Sequence, residues 1–159
     1  MLVVLITGQE GTGMRIQHDE ARQRLANDDH GVLGTVHAER GVDLVPVVYA
    51  VDADGFVGIP IDLVKAKLSS NLQRERNLDA DPRATLLIEG WDHDDWSKLW
   101  WVRAELRWLG TEHPRSESLA DALAGRYAQY ADRPFARVCV FEVAAAIGWR
   151  ADDTTPRAD

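Results

Sequence analysis

A stretch near the middle of the chain, residues 99–109, alternates strictly between two kinds of side chain. It reads LWWVRAELRWL. One set of alternate positions is entirely apolar: Trp100, Val102, Ala104, Leu106 and Trp108. The other set is mostly charged: Trp101, Arg103, Glu105 and Arg107. A period of two residues is typical of a β-strand with one face in a core and the other toward solvent. The chain is therefore expected to contain a sheet with one buried face.

The remaining patterns predict a mainly β fold, a small antiparallel β-barrel with peripheral helices. Residues 31–61 hold three apolar segments separated by turn signals, which indicates an antiparallel meander. Pro46 and Pro60 within the meander are expected at strand edges or bulges. Further strands are predicted at 83–90 and 136–143. Helices are predicted at 17–29, with Asp19 as a cap, at 67–80 and at 116–130.

The length of 159 residues fits one domain, and no internal repeat or linker divides it. We expect this domain to cover residues 14–150. Residues 1–13 are expected to form an N-terminal extension, either a flexible arm or a segment upstream of a natural start at Met14. Residues 151–159 are expected to form a disordered tail. The apolar part of the extension is too short to span a bilayer and lacks the basic region of a signal peptide.

Charge and cysteine content narrow the possible partners and location. The chain has 26 acidic and 18 basic residues, a formal net charge of −8. This balance argues against extended contact with nucleic acid or with an anionic membrane, both of which need a basic surface. Cys139 is the single cysteine, so no intramolecular disulfide can form. A reducing, cytoplasmic location is expected, with Cys139 as a buried and inert thiol.

The sequence predicts no metal site and identifies no catalytic residue. The five histidines show no metal-ligand spacing. The run 92–95, Asp-His-Asp-Asp, could hold a cation but is more typical of a polar loop. No serine lies in a nucleophile elbow, so covalent or hydrolytic catalysis is not expected.

Trp101 is the exception on the charged face of the 99–109 strand. A large aromatic side chain at such a position indicates a surface that contacts a ligand or a second subunit. The alternative is a tryptophan covered by a loop of its own chain.

Basic residues concentrate between positions 65 and 83 of this acidic protein. Lys65 and Lys67 follow a predicted strand, and side chains two residues apart in extended chain point the same way. Two ammonium groups near the start of a helix would make a phosphate site. The alternative is a solvated helix face on which the basic side chains are balanced by Glu75 and Asp79.

Three segments together resemble the pyridoxamine-phosphate-oxidase-like split β-barrel family, and in particular its actinobacterial branch of probable enzymes of coenzyme F420, a deazaflavin. The segments are LVPVVYAVDADGF, KAKLSSNLQRERNLDADPRATLLIE and DDWSKLWWVRAEL. The resemblance covers roughly residues 18–150. Ala66 stands where family members often have proline, and 69–71 carry no arginine where members often do.

The resemblance implies a split β-barrel fold like that of FMN-binding proteins and a homodimer with the cofactor ring at the interface. It implies that the phosphate contacts Lys65 and Lys67. The strand around Pro46 and Val47 would supply backbone groups near the ring. Trp101 and Arg103 would lie at the interface or around the cofactor.

The function implied by the resemblance is an oxidoreductase that uses coenzyme F420 to transfer a hydride to a small organic substrate. Two alternatives stay open. One is an FMN-dependent oxidase or reductase on the same fold, because FMN has a single phosphate and needs fewer basic contacts. The other is a non-catalytic protein that binds a flavin or haem.

Overall fold

The computed structural model describes residues 13–63 and 72–151. Within them lie eight strands, three α-helices and two short 3-10 turns. The strands are β1 (Gly13–Ile16), β2 (His30–His37), β3 (Gly41–Val48), β4 (Ala50–Val51), β5 (Val57–Asp62), β6 (Arg83–Gly90), β7 (Trp100–Gly110) and β8 (Phe135–Ala151). The helices are α1 (His18–Asn27), α2 (Gln73–Ala80) and α3 (Ser116–Arg126), and the 3-10 turns are Trp96–Lys98 and Ala128–Tyr130.

The strands form one antiparallel sheet in the order β3-β2-β6-β7-β8-β5-β4. The long strand β8 pairs with β7 on one side, and with β5 and then β1 on the other. Because β3 at one end of this order also contacts β5 near the other end, the sheet curves round on itself. The predicted split β-barrel with peripheral helices is confirmed.

The core lies inside the curved sheet. Its fully buried side chains include Leu33 of β2, Leu86 of β6, Val102 of β7 and Phe141 of β8. A second apolar cluster lies where α3 packs against β4, β5 and β8, and its buried strand side chains come from β4 and β8. Gly58 permits this contact, because a Cβ there would stand 2.8 Å from the Cβ of Leu119. The two clusters hold the helices on the outside of the barrel.

Strand β7 follows the predicted alternation. Val102, Ala104 and Leu106 are buried, whereas the charged side chains between them are exposed. Trp100 and Trp101 are both half-buried, on opposite faces of the strand. The prediction that this stretch separates a core face from a polar face is confirmed.

The first helix lies within its predicted range of 17–29, but its predicted cap is wrong. Its N-cap is Gln17, so Asp19 lies in the first turn and not at the cap. A carboxylate in the first turn still stabilises the helix, because the exposed N–H groups there carry partial positive charge. Ala21 and Leu25 are buried as expected.

The second helix is shorter than predicted. Leu72 is extended, with φ −72° and ψ 155°, so a continuous helix over 67–80 is wrong. The backbone N–H of Leu72 donates to the Glu75 carboxylate at 2.9 Å, which fixes Leu72 as the N-cap. Residues 64–71 lie outside the described part of the chain.

The third helix also ends before its predicted limit of residue 130. Tyr127 has φ −118° and ψ 120° and terminates α3, and a 3-10 turn follows it. The Tyr127 hydroxyl, which has a single proton to donate, lies within hydrogen-bonding distance of the backbone oxygens of Asp29 and Tyr49. These contacts tie the end of the helix to the barrel, and they come from residues far away in sequence.

The first and last strands of the chain pair with each other. Gly13 of β1 pairs with Ala151 of β8, and Ile16 of β1 is buried. The sheet thus includes one residue on either side of the range 14–150, and the rest of the predicted extension and tail lies outside the described residues. Within 13–63 and 72–151, none of the helices has the length and apolar content needed to cross a bilayer.

Cys139 lies in the core as predicted. Its side chain is free and buried, and burial raises the pKa of the thiol to about 12. The thiol is therefore protonated and unreactive at neutral pH.

Candidate functional site

The outward side of the sheet, which we call the outer face, carries several of the predicted site residues. The strand register places Pro46 beside Val32, Val32 beside Leu87, and Leu87 beside Arg103. These side chains form one row across β3, β2, β6 and β7. Pro46 and Arg103, which are far apart in sequence, therefore lie at the two ends of the same row.

A second row on the outer face contains Trp101. Its cross-strand neighbours are Glu89 on β6 and Trp149 on β8, and Trp149 in turn lies beside Arg15 on β1. The Trp149 indole lies over Gly13, where a Cβ would overlap the ring. The outer face thus joins a pair of tryptophans to the row that ends in Arg103.

A groove of about 640 Å³ runs along the outer face between β3 and β7. Its walls are mostly aliphatic and unusually exposed: Leu44 is 67% exposed and Val42 is 64% exposed. Polar groups enter from β6 and β7, namely Thr85, Arg83 and Arg103. A volume of this size is typical of sites for drug-sized ligands. An apolar groove with guanidinium groups on one side can hold a flat ring that carries polar atoms on its edge.

Gly34 forms the floor of the groove. A Cβ at this position would lie 3.2 Å from the Leu44 side chain and 3.7 Å from the Thr85 carbonyl oxygen. A side chain there would fill the space between β3 and β6. The sequence carried a signal of this feature, since an isolated glycine inside a strand pattern indicates a close approach by a ligand or another backbone.

The two arginines of the groove differ in their surroundings. Arg83 is held by Asp81, with a shortest N–O distance of 2.6 Å, and hydrogen bonds from Arg83 lower the pKa of Asp81 to about 2. Within residues 13–63 and 72–151, Arg103 has no ion pair. The guanidinium of Arg103 is therefore available to a ligand.

The sequence matches no protein-family model and no curated protein. Solved structures do resemble the fold. A conserved hypothetical protein from Mycobacterium tuberculosis has a TM-score of 0.66 and 22% identity, over 91% of this chain and 90% of that chain. An FAD-binding protein from Mesorhizobium loti has a TM-score of 0.63 and 13% identity, over 91% of this chain and 100% of that chain. A candidate pyridoxamine 5′-phosphate oxidase from Corynebacterium glutamicum has a TM-score of 0.55 and 15% identity, over 91% of this chain and 97% of that chain.

The chain has the split β-barrel fold. At these identities the similarity establishes the fold alone, so a function must be argued from the residues of this barrel.

The predicted site residues occupy different parts of the barrel. Pro46 is exposed on edge strand β3, where the missing N–H is tolerated, while Val47 is 7% exposed and points into the core. Only the backbone of Val47 could therefore reach a ligand. Trp101 and Arg103 share the outer face with Pro46. Lys65 and Lys67 lie outside the described residues.

Helix α2 is fixed to the barrel by polar contacts that the sequence did not reveal. The Asn77 amide donates to the Thr35 hydroxyl at 3.0 Å and to the Asp43 carboxylate at 2.9 Å. The Arg137 guanidinium makes two 2.7 Å hydrogen bonds to the Glu75 carboxylate. Buried polar groups of this kind are satisfied only by partners far away in sequence, so periodicity cannot predict them.

Two acidic groupings of the described chain differ in how their carboxylates are arranged. In the 92–95 run, the Asp92 carboxylate accepts from the backbone N–H groups of Asp94 and Asp95 and pairs with Lys98 at 3.0 Å, which is the arrangement of a polar loop. Elsewhere in the described chain, Asp28, Asp29 and His30 offer ligand atoms within 4.8 Å of one another. His30 and Asp29 are hydrogen-bonded to each other, which raises the pKa of His30.

Proposed function

We propose that this protein binds the ring of a flavin-type cofactor in the groove of the outer face and acts as an oxidoreductase on a small organic molecule. The observation that supports this most is the groove itself, with its aliphatic walls, its glycine floor and the available guanidinium of Arg103. A structural neighbour described as an FAD-binding protein supports the class of cofactor. Coenzyme F420 is the cofactor we favour, and FMN is the alternative.

The residues of the groove fit such a ring. Leu44 and Leu87 offer flat aliphatic contact, and Gly34 leaves space between them. Arg103 can donate to ring oxygen or nitrogen atoms. Hydrogen bonds from a charged donor are stronger than neutral ones, so this side chain would orient the ring.

The anionic part of the cofactor needs cations that the groove supplies only in part. Arg83 is already paired with Asp81. We therefore assign the phosphate to Lys65 and Lys67, as the sequence resemblance implies. Leu72, which follows this segment, is fixed by Glu75.

When bound, a cofactor of this kind supplies the hydride for reducing an electron-poor bond. The side chains of this protein would bind the ring, orient it and exclude water from its reacting edge. No side chain of the groove is assigned as a proton donor. A second copy of the chain, packed over the outer face, would complete the exclusion of water.

Arg103→Ala tests the site, with Arg107→Ala as its matched control. Both arginines are exposed on the same face of β7, but only Arg103 lines the groove. Titration of the purified protein with F420, FMN and FAD should show that Arg103→Ala weakens ring binding roughly ten- to hundred-fold. Arg107→Ala should change the affinity by no more than about twofold. Equal effects of the two variants would refute the groove as the site.

The phosphate assignment needs a separate comparison. Wild-type protein and a Lys65→Ala/Lys67→Ala variant are titrated with FMN and with riboflavin, which lacks the phosphate. The double variant should lose affinity for FMN, and Lys67→Ala alone should weaken it by roughly 1.5–3 kcal/mol. Affinity for riboflavin should stay nearly constant. An unchanged FMN affinity would show that other residues hold the phosphate.

Absorbance spectroscopy of the purified protein distinguishes the remaining alternatives. Flavin, deazaflavin and haem absorb at different wavelengths. Turnover of a bound cofactor by added electron-poor acceptors would support an oxidoreductase, whereas tight binding without turnover of any acceptor would favour a binding protein.

A further inference from the structure

A second depression lies where β7 begins and β8 ends, on the side of β7 opposite the groove. It has a volume of about 400 Å³ and includes Arg24, Lys98 and Arg150 among its lining residues, with Trp100 as an apolar wall. None of these residues lines the groove of the outer face. Three cationic side chains thus converge on one depression in a protein with a net charge of −8.

The depression is built around the Trp100 indole. Gly90 leaves room for the ring, since a Cβ at position 90 would overlap it. The Arg24 guanidinium of α1 lies over the ring, 4.7 Å from its centroid. Arg150 is the cross-strand neighbour of Trp100, so its side chain lies on the same face of the sheet. A helix, a turn and a strand therefore meet at this tryptophan.

Two of the cations are held in place by carboxylates. Arg24 donates from Nε and Nη2 to Glu20 at 3.1 and 3.0 Å. Lys98 pairs with Asp92 at 3.0 Å and with Asp95 at 3.3 Å. These contacts fix both side chains, but they leave Nη1 of Arg24 and one ammonium proton of Lys98 without a partner among the described residues.

Arg150 differs from the other two cations. It is exposed, and within residues 13–63 and 72–151 it forms no ion pair or side-chain hydrogen bond. All N–H groups of its guanidinium are available to a ligand. Donors thus approach the depression from α1, from the 3-10 turn and from β8.

This arrangement suits a tetrahedral oxyanion better than a carboxylate. A phosphate monoester has three terminal oxygens that can accept from three directions, whereas a carboxylate has two oxygens in one plane. The arginine fork can bind two phosphate oxygens together, and a fixed lysine adds a point charge.

We propose that this depression binds the phosphate group of a small phosphate monoester, with Arg150 as the principal contact and Arg24 and Lys98 as supporting donors. The Trp100 wall would contact the organic part of the ligand. The proposal is independent of the function assigned to the groove.

The test is a calorimetric titration with phenyl phosphate, using benzoate as the matched carboxylate. Wild-type protein should show saturable binding of phenyl phosphate and weaker binding of benzoate. Arg150→Ala should weaken the phosphate binding roughly ten- to hundred-fold. The fold should be retained, since the side chain is exposed, and a melting curve of the variant verifies this.

Arg15→Ala is the matched control. Arg15 is an exposed arginine of β1, beside Trp149 and thus on the outer face. The variant removes the same charge close by and should change phosphate affinity by no more than about twofold. FMN affinity, measured in parallel, should be unchanged in Arg150→Ala, which separates this depression from the groove.

Several results would overturn the proposal. These are the absence of saturable binding by the wild-type protein, equal losses in Arg150→Ala and Arg15→Ala, and benzoate binding as tightly as phenyl phosphate. A parallel loss of FMN affinity in Arg150→Ala would also overturn it, because the depression would then be part of the cofactor site.

Discussion

Trp100 and Trp101 are adjacent in sequence but lie in different surroundings. Trp100 packs beneath Arg24 and over Gly90, against the core. Trp101 lies on the outer face beside Trp149. Because successive side chains of a strand point to opposite faces, the two residues should respond to mutation in different ways.

Trp100→Ala should lower the free energy of unfolding by about 3 kcal/mol, as for loss of a large aromatic side chain that packs against the core. Trp101→Ala should lower it by about 1 kcal/mol, the scale of a cross-strand pair, and should instead weaken ring binding or dimerisation. Urea unfolding and cofactor titration of both variants measure the two effects. If Trp101→Ala unfolds the protein while Trp100→Ala does not, the assignment of the two faces is wrong.

Glu75 is a single residue whose ionisation should make stability depend on pH. Burial alone would raise the pKa of Glu75, but hydrogen bonds from Arg137 and from the Leu72 backbone outweigh burial and hold the pKa below its usual value. The ionised form therefore stabilises the fold above the unfolded pKa of about 4.3, and this contribution is lost as the pH falls through the lower folded pKa.

Glu75→Gln should accordingly lower the free energy of unfolding by roughly 1–3 kcal/mol at neutral pH, the range for loss of charged hydrogen bonds. The difference from the wild type should shrink between pH 5 and pH 3. Urea unfolding over this pH range measures it, with the exposed Glu105→Gln as a control that should differ little at any pH. A difference that widens toward low pH would contradict the assigned direction of the pKa shift.

At the scale of elements, β1 is a short strand that adds to the end of β8. Its Ile16 is 2% exposed and belongs to the core, whereas Gly13 contributes a terminal backbone pairing and a contact with the Trp149 ring at the surface. The packing of β1 should therefore depend on Ile16, and the stability of the protein should change little when the residues before Met14 are removed.

A chain that starts at Met14 should melt within a few degrees of the full chain and bind cofactor normally. Ile16→Ala in either chain should lower the free energy of unfolding by roughly 2–4 kcal/mol, because it leaves a cavity in the core. Thermal melts of the four proteins provide the measurement. A large drop in melting temperature on truncation alone would show that residues before Met14 pack into the fold.

The elements that periodicity predicted well are those whose pattern is local. Strand β7 and the buried face of α1 follow from alternate or helical spacing within one segment. The limits of α2 and α3 cannot be derived from spacing. Glu75 and Tyr127 set these limits through contacts with particular backbone groups. Strand β8 was predicted only over residues 136–143, and its continuation to Ala151 depends on pairing with β1 and β7.

In the candidate site, too, features with a local sequence pattern were predictable and features formed by distant segments were not. Trp101 could be singled out from the sequence because it interrupts the charged face of its strand, whereas Arg103 was implied only by the family resemblance. The groove could not, because it arises where β3, β2, β6 and β7 come together. Gly34 was the one local signal of it. The depression at Arg150 has no sequence signal, because its three cations come from distant segments.

For the whole molecule, the outer face combines exposed aliphatic side chains with charged groups. Leu44 and Val42 are each more than half exposed on edge strand β3, and Arg103 and Glu105 are exposed on β7. A patch of this kind is unfavourable in contact with water. Since most homo-oligomers are symmetric dimers that use the same patch on both subunits, we expect two copies to pair through this face.

The protein should therefore be a homodimer at micromolar concentration. Leu44→Glu should produce a monomer of 17.8 kDa with little loss of melting temperature, because the side chain is 67% exposed within one chain. The same variant should bind the cofactor weakly, since a charge enters the groove and the covering copy is lost. Leu63→Glu, at a leucine that is 64% exposed outside the groove, is the matched control and should remain dimeric. Sedimentation equilibrium distinguishes the two states.

A wild-type protein that sediments only as a monomer would lack the shielding from water on which the proposed site depends. A dimeric Leu44→Glu variant would show that the interface lies on another face of the barrel.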